Sequence, residues 1–508
     1  MSRGDLRMVV VALGLVTFGY AGDRADAQTW TGGGGNNLWS TSGNWSSLPN
    51  TTVSGSLTFS GTTNTSSVND RVTSVGAIYF GNTTSGSTSN FVLSGSAITL
   101  TAATGLAVGQ NSTGTITDEI AMNVKMTNGT TTLQTQSLSA GVHNVIMSGT
   151  ISETTAATIL QKGGAGGYMT LSANNTFSGQ MRIQTGGVII PRFGNVGEAS
   201  PMGMSLTAPR VGNGTADGEI IYTGSGETTN RQFQLGSNTA SNGGGSKVTN
   251  NGSGAVVFSS GTFNLAGWTN VNTARYLTLS GSNTGDNRIN GVIQDNNGTA
   301  GAIAVKKVGS GKWILAGSNT YTGGTEVNAG TLLVTGTLSA TGNPVQVLAG
   351  ATLGGTGLIG SAATVSGIVA PGNGGIGTLT FSSGVTWNGG ATAASTTDWL
   401  FDLGTSNTSD LASITGNFTK GSGPVFRFDL GNATTQGIYT LASWTGSTTF
   451  SAGDFSYTNL GGGNTGTFDI QGSSLVLTIV PEPTTTVGLI ASGVAGLFAA
   501  RRGRRRNG

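Results

Sequence analysis

Trp313-Ile-Leu-Ala-Gly-Ser-Asn-Thr-Tyr-Thr-Gly323 is the stretch that decides the fold, because a matching stretch, Met169-Thr-Leu-Ser-Ala-Asn-Asn-Thr-Phe-Ser-Gly179, lies 144 residues earlier. The register continues downstream, where Gly186 corresponds to Gly330. A partial third copy is Leu277-Thr-Leu-Ser-Gly-Ser-Asn-Thr284. Repetition of a short unit predicts an array in which each unit packs on the next.

Each unit is typical of a strand, an Asn-Thr turn, a second strand, a Gly turn and a third strand. Apolar residues alternate within the strands, so one face can point inward and the other outward. Such a unit cannot bury its apolar face alone, whereas stacked coils of a β-solenoid can. We expect Asn175 and Asn319 to stack at equivalent turns with their amides satisfied, and Gly186 and Gly330 to adopt positive φ at tight corners.

The composition favours the same architecture. Glycine accounts for 88 of 508 residues, charged residues for 9% and hydrophobic residues for 36%, which is enough for a long core. Cysteine is absent, so stability must come from strand pairing and apolar stacking. The sequence predicts an all-β body of short strands with Gly and Asn turns, and no amphipathic helix between Gln28 and Val480.

The C-terminal tail has the features of a membrane-targeting segment. Val480-Pro-Glu-Pro483 precedes an uncharged apolar run, Thr484–Ala500, and then five arginines: Arg501, Arg502, Arg504, Arg505 and Arg506. The apolar run would span about 26 Å as a helix, the short end of a bilayer crossing. Arginine resists translocation, so we interpret the five arginines as a membrane stop signal that stays cytoplasmic.

The N-terminal end predicts export. Arg3 and Arg7 precede the apolar stretch Met8–Tyr20, and Ala25 and Ala27 are the small residues that a signal peptidase reads. We expect a signal helix that is cleaved before Gln28; a retained N-terminal anchor is the alternative.

Pro-Glu-Pro, apolar helix and Arg cluster, in that order, resemble the PEP-CTERM sorting signal. The resemblance implies that an exosortase-type membrane protease recognises Pro481, Glu482 and Pro483 and processes the chain nearby. A plain C-terminal anchor is the alternative. Because proline cannot continue a helix, the motif should be extended and accessible.

The repeat resembles the autotransporter-associated, or passenger-associated, β-strand repeat. The match runs from Lys307 to Val334, and Gly354–Gly360 and Ala370–Thr380 look like coils that follow it. The resemblance covers about residues 160–190 and 277–380, and it implies a right-handed parallel β-helix. Passenger domains precede a β-barrel translocator; here one apolar segment follows instead, so we expect that the chain does not export itself.

We divide the chain into a signal peptide (1–27), an N-terminal cap segment (28–60), a β-solenoid (61–383), a terminal β region (384–479) and a sorting signal (480–508). The cap contains Trp30, Trp39 and Trp45; the alternative use for these rings is a platform that stacks on carbohydrate. The sequence leaves open whether the solenoid continues through 190–275.

Catalytic chemistry has few candidates. His143 is the only histidine and is interpreted as an outward strand residue. The densest charged cluster consists of Asp286, Arg288, Asp295, Lys306 and Lys307. This cluster is the basis for the alternative function, a β-helix polysaccharide lyase or glycoside hydrolase; inverting hydrolysis needs two carboxyl groups about 6.5–9.5 Å apart. We predict no catalytic residue, cofactor or metal.

The sequence therefore predicts an exported, non-enzymatic β-solenoid with a structural or adhesive role. We expect it in the inner membrane as a precursor and then at the cell surface or outside the cell. Expected partners are the general secretion machinery, signal peptidase, the exosortase-type protease, the membrane through the C-terminal helix, and extracellular polysaccharide. Without the end segments, the body has a net charge near −2 and shows no basic stripe, so nucleic acid is not expected.

Overall fold

The computed structural model describes residues 28–81, 89–108, 114–127, 129–138, 141–164, 166–212, 217–236, 245–263, 275–295, 302–339, 342–390, 399–405 and 407–482. The predicted signal helix with Ala25 and Ala27, and the predicted membrane helix with Pro483 and the five arginines, lie outside these residues. Among the residues it does describe, no helix is long and apolar enough to cross a membrane.

The described chain is built from short strands, with only two single-turn 3₁₀ segments, Ser42–Asn44 and Ala452–Asp454. The N-terminal third contains β1 (Gln28–Trp30), β2 (Thr52–Phe59), β3 (Ser66–Asn69), β4 (Ser74–Phe80), β5 (Val92–Gly95), β6 (Ile98–Leu100), β7 (Thr104–Val108), β8 (Gly114–Ile120), β9 (Val124–Met126), β10 (Thr130–Gln134), β11 (Gln136–Leu138), β12 (Gly141–Met147), β13 (Ile151–Glu153), β14 (Ile159–Gly163), β15 (Tyr168–Leu171) and β16 (Met181–Ile183).

The middle third contains β17 (Gly186–Ile190), β18 (Arg210–Val211), β19 (Gly218–Tyr222), β20 (Ser225–Thr229), β21 (Gln234–Leu235), β22 (Ser246–Asn250), β23 (Gly254–Phe258), β24 (Thr262–Phe263), β25 (Arg275–Gly281), β26 (Asn287–Ile289), β27 (Val292–Ile293), β28 (Ile303–Lys307), β29 (Lys312–Leu315), β30 (Thr325–Val327), β31 (Gly330–Val334) and β32 (Thr337–Leu338).

The C-terminal third contains β33 (Val345–Val347), β34 (Ala351–Gly355), β35 (Leu358–Ile359), β36 (Ala363–Val365), β37 (Ile368–Pro371), β38 (Thr378–Phe381), β39 (Val385–Trp387), β40 (Trp399–Leu400), β41 (Leu411–Ile414), β42 (Phe418–Lys420), β43 (Phe426–Ala433), β44 (Gly437–Trp444), β45 (Phe455–Leu460), β46 (Asn464–Gln471) and β47 (Ser474–Pro481).

One long parallel sheet runs through the molecule. Its path is β3-β5-β8-β12-β15-β17-β19-β22-β25-β28-β30-β33-β36-β39-β42, and β11 adds one antiparallel strand beside β12. The strands β17, β19, β22 and β25 pair in sequence, so the stack continues through the 190–275 region that the sequence left open. The all-β solenoid prediction is confirmed.

Most coils in the described C-terminal half place one strand on each of three faces. The coil formed by β30, β31 and β32 shows this, because its three strands belong to three different sheets. The next coil repeats the order, with Val327 paired to Val347 twenty residues later. Val327, Leu332 and Val334 are all fully buried, so the alternating apolar side chains of successive coils form a continuous core.

The predicted corner residues hold neighbouring coils together. Asn175 accepts a hydrogen bond from the Ile151 amide at 2.8 Å, and Asn319 accepts one from the Ile293 amide at 3.0 Å. Both side-chain amides donate to backbone carbonyls, including Pro201 for Asn175. The amides are therefore satisfied by backbone groups rather than by stacked asparagines. Gly186 and Gly330 adopt φ values of 63° and 65°, as predicted.

The N-terminal segment buries its tryptophans. Trp30, Trp39 and Trp45 are at most 5% exposed, and the Trp30–Trp45 and Trp39–Trp45 pairs pack edge to face at 5.1 and 5.7 Å. The Trp39 indole also donates to Ser67 at 3.1 Å. These rings are packed into the end of the core, where none presents an open face to a sugar.

Parallel stacking extends past residue 384 and then changes direction. β39 pairs in parallel with β42, and β43 with β45. The last two strands are antiparallel: β47 lies between β44 and β46. The domain boundaries drawn from sequence stay predictions.

Candidate functional site

The predicted charged cluster does not converge on one site. Lys306 makes an ion pair with Glu326 at 3.3 Å and lies 3.8 Å above the Tyr276 ring. Asp286 instead pairs with Lys312 at 2.6 Å. Arg288 lies in β26, which belongs to a different sheet from β28, the strand of Lys306 and Lys307.

Asp295 connects neighbouring coils through hydrogen bonds. Its carboxylate accepts hydrogen bonds from the Ile303 amide at 2.6 Å and from the Thr322 amide and hydroxyl at 3.0 and 2.6 Å. Both oxygens are therefore engaged by the protein itself. This pairing leaves the carboxylate poorly placed to act on a substrate.

Lys307 is buried beneath a corner of the repeat. Its ammonium donates to the carbonyls of Val308, Gly309 and Ala329 at 2.9, 2.7 and 2.9 Å. Lys162 occupies the equivalent place in the earlier repeat and donates to Gly166 and Thr185. Burial lowers the pKa of Lys162 to about 7 and that of Lys307 to about 8. These lysines tie adjacent corners together.

The prediction that His143 points outward is wrong. Its side chain is 1% exposed, and Nε2 forms a hydrogen bond with the fully buried carboxylate of Asp118. Asp118 also accepts the Phe91 amide at 2.7 Å, and burial raises the pKa of Asp118. Alternation along β12 places His143 on the inward face. The Asp118 carboxylate supplies the buried imidazole with a hydrogen-bond partner.

The described residues offer no cluster for a metal. They contain no group of three or more His, Cys, Asp or Glu side chains arranged to hold an ion.

A polar cleft missed by the sequence analysis lies beside residues 191–209, a long excursion between β17 and β18. Its volume is about 480 Å³. The lining is mostly polar and consists of Pro191, Arg192, Gly194, Asn195, Glu198, Tyr222, Ser225, Gly226, Glu227 and Thr228. Arg192 and Glu198 form an ion pair at its surface, with side chains 37% and 41% exposed.

Two charged side chains hold the excursion in place. Arg231, 1% exposed, donates to the Phe193 and Gly194 carbonyls at 3.0 and 3.1 Å and to Gly203 at 2.7 Å. Glu227 accepts the amides of Phe193 and Gly194 at 2.5 and 3.2 Å. The cleft is therefore preorganised. The concentration of charges between residues 192 and 231, in a chain where charges are scarce, was the available sequence signal.

The electrostatics of the cleft favour binding over acid catalysis. The Asn195 amide, followed by Arg192, lowers the pKa of Glu198, so this carboxyl stays ionised. A general acid needs a raised pKa instead. Glu227 uses both oxygens on backbone amides. The arrangement can hold a polar ligand through Arg192, Asn195 and the neighbouring hydroxyl groups.

The first residues of the Pro-Glu-Pro motif lie at the end of the last sheet. Pro481 is the final residue of β47 and lies opposite Asn464. The Glu482 amide donates to the Gly463 carbonyl at 2.8 Å. Pro481 and Glu482 are exposed. Their role in recognition stays a prediction, as do those of Pro483, the arginines, Ala25 and Ala27.

Comparison with known proteins agrees with both resemblances. Residues 160–190 and 305–334 match the family model of the passenger-associated-transport-repeat, and residues 480–506 match the PEP-CTERM protein-sorting motif. The adhesin BmaC autotransporter of Brucella suis biovar 1 (strain 1330) is 37% identical over 147 residues. That match covers 28% of this chain and 4% of the adhesin. The chain is therefore similar to passenger-type repeat proteins in its solenoid and to proteins with a PEP-CTERM sorting motif in its C-terminal segment.

Proposed function

We propose that this protein is an exported, non-enzymatic β-solenoid that acts as a structural or adhesive component at the cell surface or in the extracellular matrix. The observation that carries the proposal is the uninterrupted stack of parallel strands from β3 to β42. Such a stack presents an extended surface of hydroxyl and amide groups, which can bind polysaccharide weakly but at many points. Similarity to an adhesin supports this role.

Export and sorting would use the two end segments. Signal peptidase cuts after Ala27, the five arginines hold the precursor in the inner membrane, and an exosortase-type protease recognises Pro481, Glu482 and Pro483. The match to the sorting motif and the exposure of Pro481 and Glu482 support this sequence of events.

A non-enzymatic role is supported by the partners of the charged groups. Asp286, Asp295, Lys306 and Lys307 each bind other groups of the protein. These contacts occupy four of the five residues on which the lyase or hydrolase alternative was based.

The test of sorting is the intact mass of the native protein in membrane, cell-surface and medium fractions. We expect a chain that starts at Gln28 and lacks the tail in the surface or medium fraction. A full-length chain confined to the inner membrane would overturn the sorting proposal.

The test of adhesion compares cells that lack the gene with cells complemented by the full chain, using attachment to polysaccharide-coated surfaces. Complementation should restore attachment. Equal attachment by both strains, with the protein present at the surface, would overturn the adhesive role.

A further inference from the structure

The sorting motif begins inside a folded sheet. β47 pairs with β44 only as far as Ile479, which lies opposite Gly437. Beyond that point β46 is the one strand of the described residues that pairs with the chain, with Thr465 opposite Val480 and Asn464 opposite Pro481. The hydrogen bond from the Glu482 amide to Gly463 extends the pairing by one residue. The first half of the motif is therefore held from one side, by β46.

The start of β46 is firmly anchored. Asn464 is 6% exposed and donates to the carbonyls of Thr434 and Gly461 at 3.0 and 2.9 Å. The Gln436 side-chain amide donates to the side-chain Oδ1 of Asn464 at 3.3 Å. Gly462 and Gly463 form the turn with φ values of 74° and 63°. The segment that pairs with the start of the motif is therefore fixed to the body of the protein.

An enzyme that binds an extended peptide commonly pairs its own backbone with that peptide. We propose that residues 463–465 form a latch that occupies the backbone edge of Val480–Glu482, so that this edge must unpair before the processing enzyme can engage it. The inference rests on the sorting function proposed above. It makes removal of the tail dependent on the folded state of the last sheet.

The latch is weak enough to open. It consists of the last backbone hydrogen bonds of one ladder, at an exposed strand end where Val480 is 46% exposed. Hydrogen bonds of this kind make the paired state of Val480–Glu482 on the order of tenfold to a hundredfold more populated than the unpaired state. Processing would therefore proceed, at a rate reduced by that factor.

A disulfide tests the latch, because the natural chain contains no cysteine. Thr465→Cys with Val480→Cys places two thiols on opposite residues, whose Cα atoms are about 5.5 Å apart in such ladders and within disulfide range. The matched control is Thr467→Cys with Thr478→Cys, an opposite pair one step deeper in the same ladder. Both full-length variants are assayed in envelope preparations of the producing cell, with and without dithiothreitol.

The oxidised Thr465/Val480 variant should lose the tail at least about tenfold more slowly than its reduced form. The oxidised Thr467/Thr478 control should be processed normally. If the oxidised Thr465/Val480 variant is processed as fast as its dithiothreitol-reduced form, the latch is overturned. A wild-type chain that is never processed would overturn sorting instead.

Hydrogen exchange tests whether residues 463–465 pair with Val480–Glu482, independently of the sorting proposal. In the full chain, the Glu482 amide should exchange at least tenfold more slowly than an unstructured amide. Thr465→Pro, which removes an N–H opposite Val480, should abolish that protection. Exchange of wild-type Glu482 at the unstructured rate would overturn the latch.

Discussion

Lys306 and Lys307 are neighbours in the chain, yet a strand places them on opposite faces. Lys307 is fully buried and donates to three carbonyls, whereas the Lys306 side chain is 29% exposed and pairs with Glu326 at the surface. Comparing substitutions of Lys306 and Lys307 therefore measures how much a buried ammonium group contributes to the stability of a repeat corner.

Lys307→Met should lower the free energy of unfolding by about 2 kcal/mol or more, because three buried carbonyls lose their donor. Lys306→Met should cost less than about 1 kcal/mol. Denaturant unfolding of both variants measures the difference. Equal effects would mean that the buried hydrogen bonds carry no net stability.

Lys162 makes stability depend on pH. An unfolded lysine keeps its proton up to about pH 10.4, whereas burial lowers the folded pKa of Lys162 to about 7. Between these values the unfolded chain binds more protons, so the free energy of unfolding rises with pH. Unfolding at pH 7 and 9 should show a gain in wild type that is smaller in Lys162→Met. A constant gap between the two proteins would contradict this assignment.

Single residues were predicted well where backbone geometry demands them. Gly186 and Gly330 follow from the corner, and the amides of Asn175 and Asn319 are satisfied there. His143 shares the inward face of β12 with Val145 and Met147, so the alternation indicated its burial. Its partner Asp118, 25 residues earlier in another coil, was not predictable.

The corner is the element that sets the repeat. A Cβ on Gly330 would lie 2.4 Å from the Gly309 carbonyl oxygen and 2.7 Å from Lys307 Nζ, at a φ of 65°. Gly375 is the matched contrast, since a Cβ there meets nothing within 4 Å. The space under the corner is thus filled by the lysine and by backbone of the preceding coil.

Gly330→Ala should therefore destabilise the protein by about 2–4 kcal/mol, through the clash and the left-handed backbone. Gly375→Ala should change stability by less than about 0.5 kcal/mol. Thermal unfolding separates the two. A tolerated Gly330→Ala would show that neighbouring coils can shift apart at the corner.

Strands were predicted from sequence wherever apolar alternation was local. The third strand of the repeat, expected after the Gly turn, corresponds to β31, Gly330–Val334. The antiparallel turn of β46 and β47 was not predictable, because their alternation fits either direction. The excursion at 191–209 was also missed, because buried Arg231 stabilises it from a later coil.

At the scale of the whole molecule, strand pairing joins each coil to the coils on either side of it. Coil length varies along the stack: Ile220 pairs with Val248 and Val248 with Leu279, steps of 28 and 31 residues, whereas Val327 pairs with Val347 after 20. Because the steps differ, the repeat signal fades through 190–275 although the pairing continues. Sequence periodicity could not reveal that continuity.

Nearest-neighbour stacking makes the ends independent. Trp39→Ala should cost about 3–5 kcal/mol by opening the end of the core. Hydrogen exchange should then rise in β1–β6 and stay unchanged in β36–β42. Leu48→Ala, in the same segment but 36% exposed, should leave both regions protected. Faster exchange throughout the chain would indicate a single cooperative unit instead.

The parallel stack also determines how the molecule responds to mechanical tension. Its backbone hydrogen bonds run along the long axis, so tension between the ends pulls coils apart one after another instead of shearing them together. Each coil adds only about 4.8 Å to the folded length. The twenty residues from Val327 to Val347, once released, extend to about 66–72 Å. Under tension, such a stack would lengthen in steps and dissipate force with each coil released.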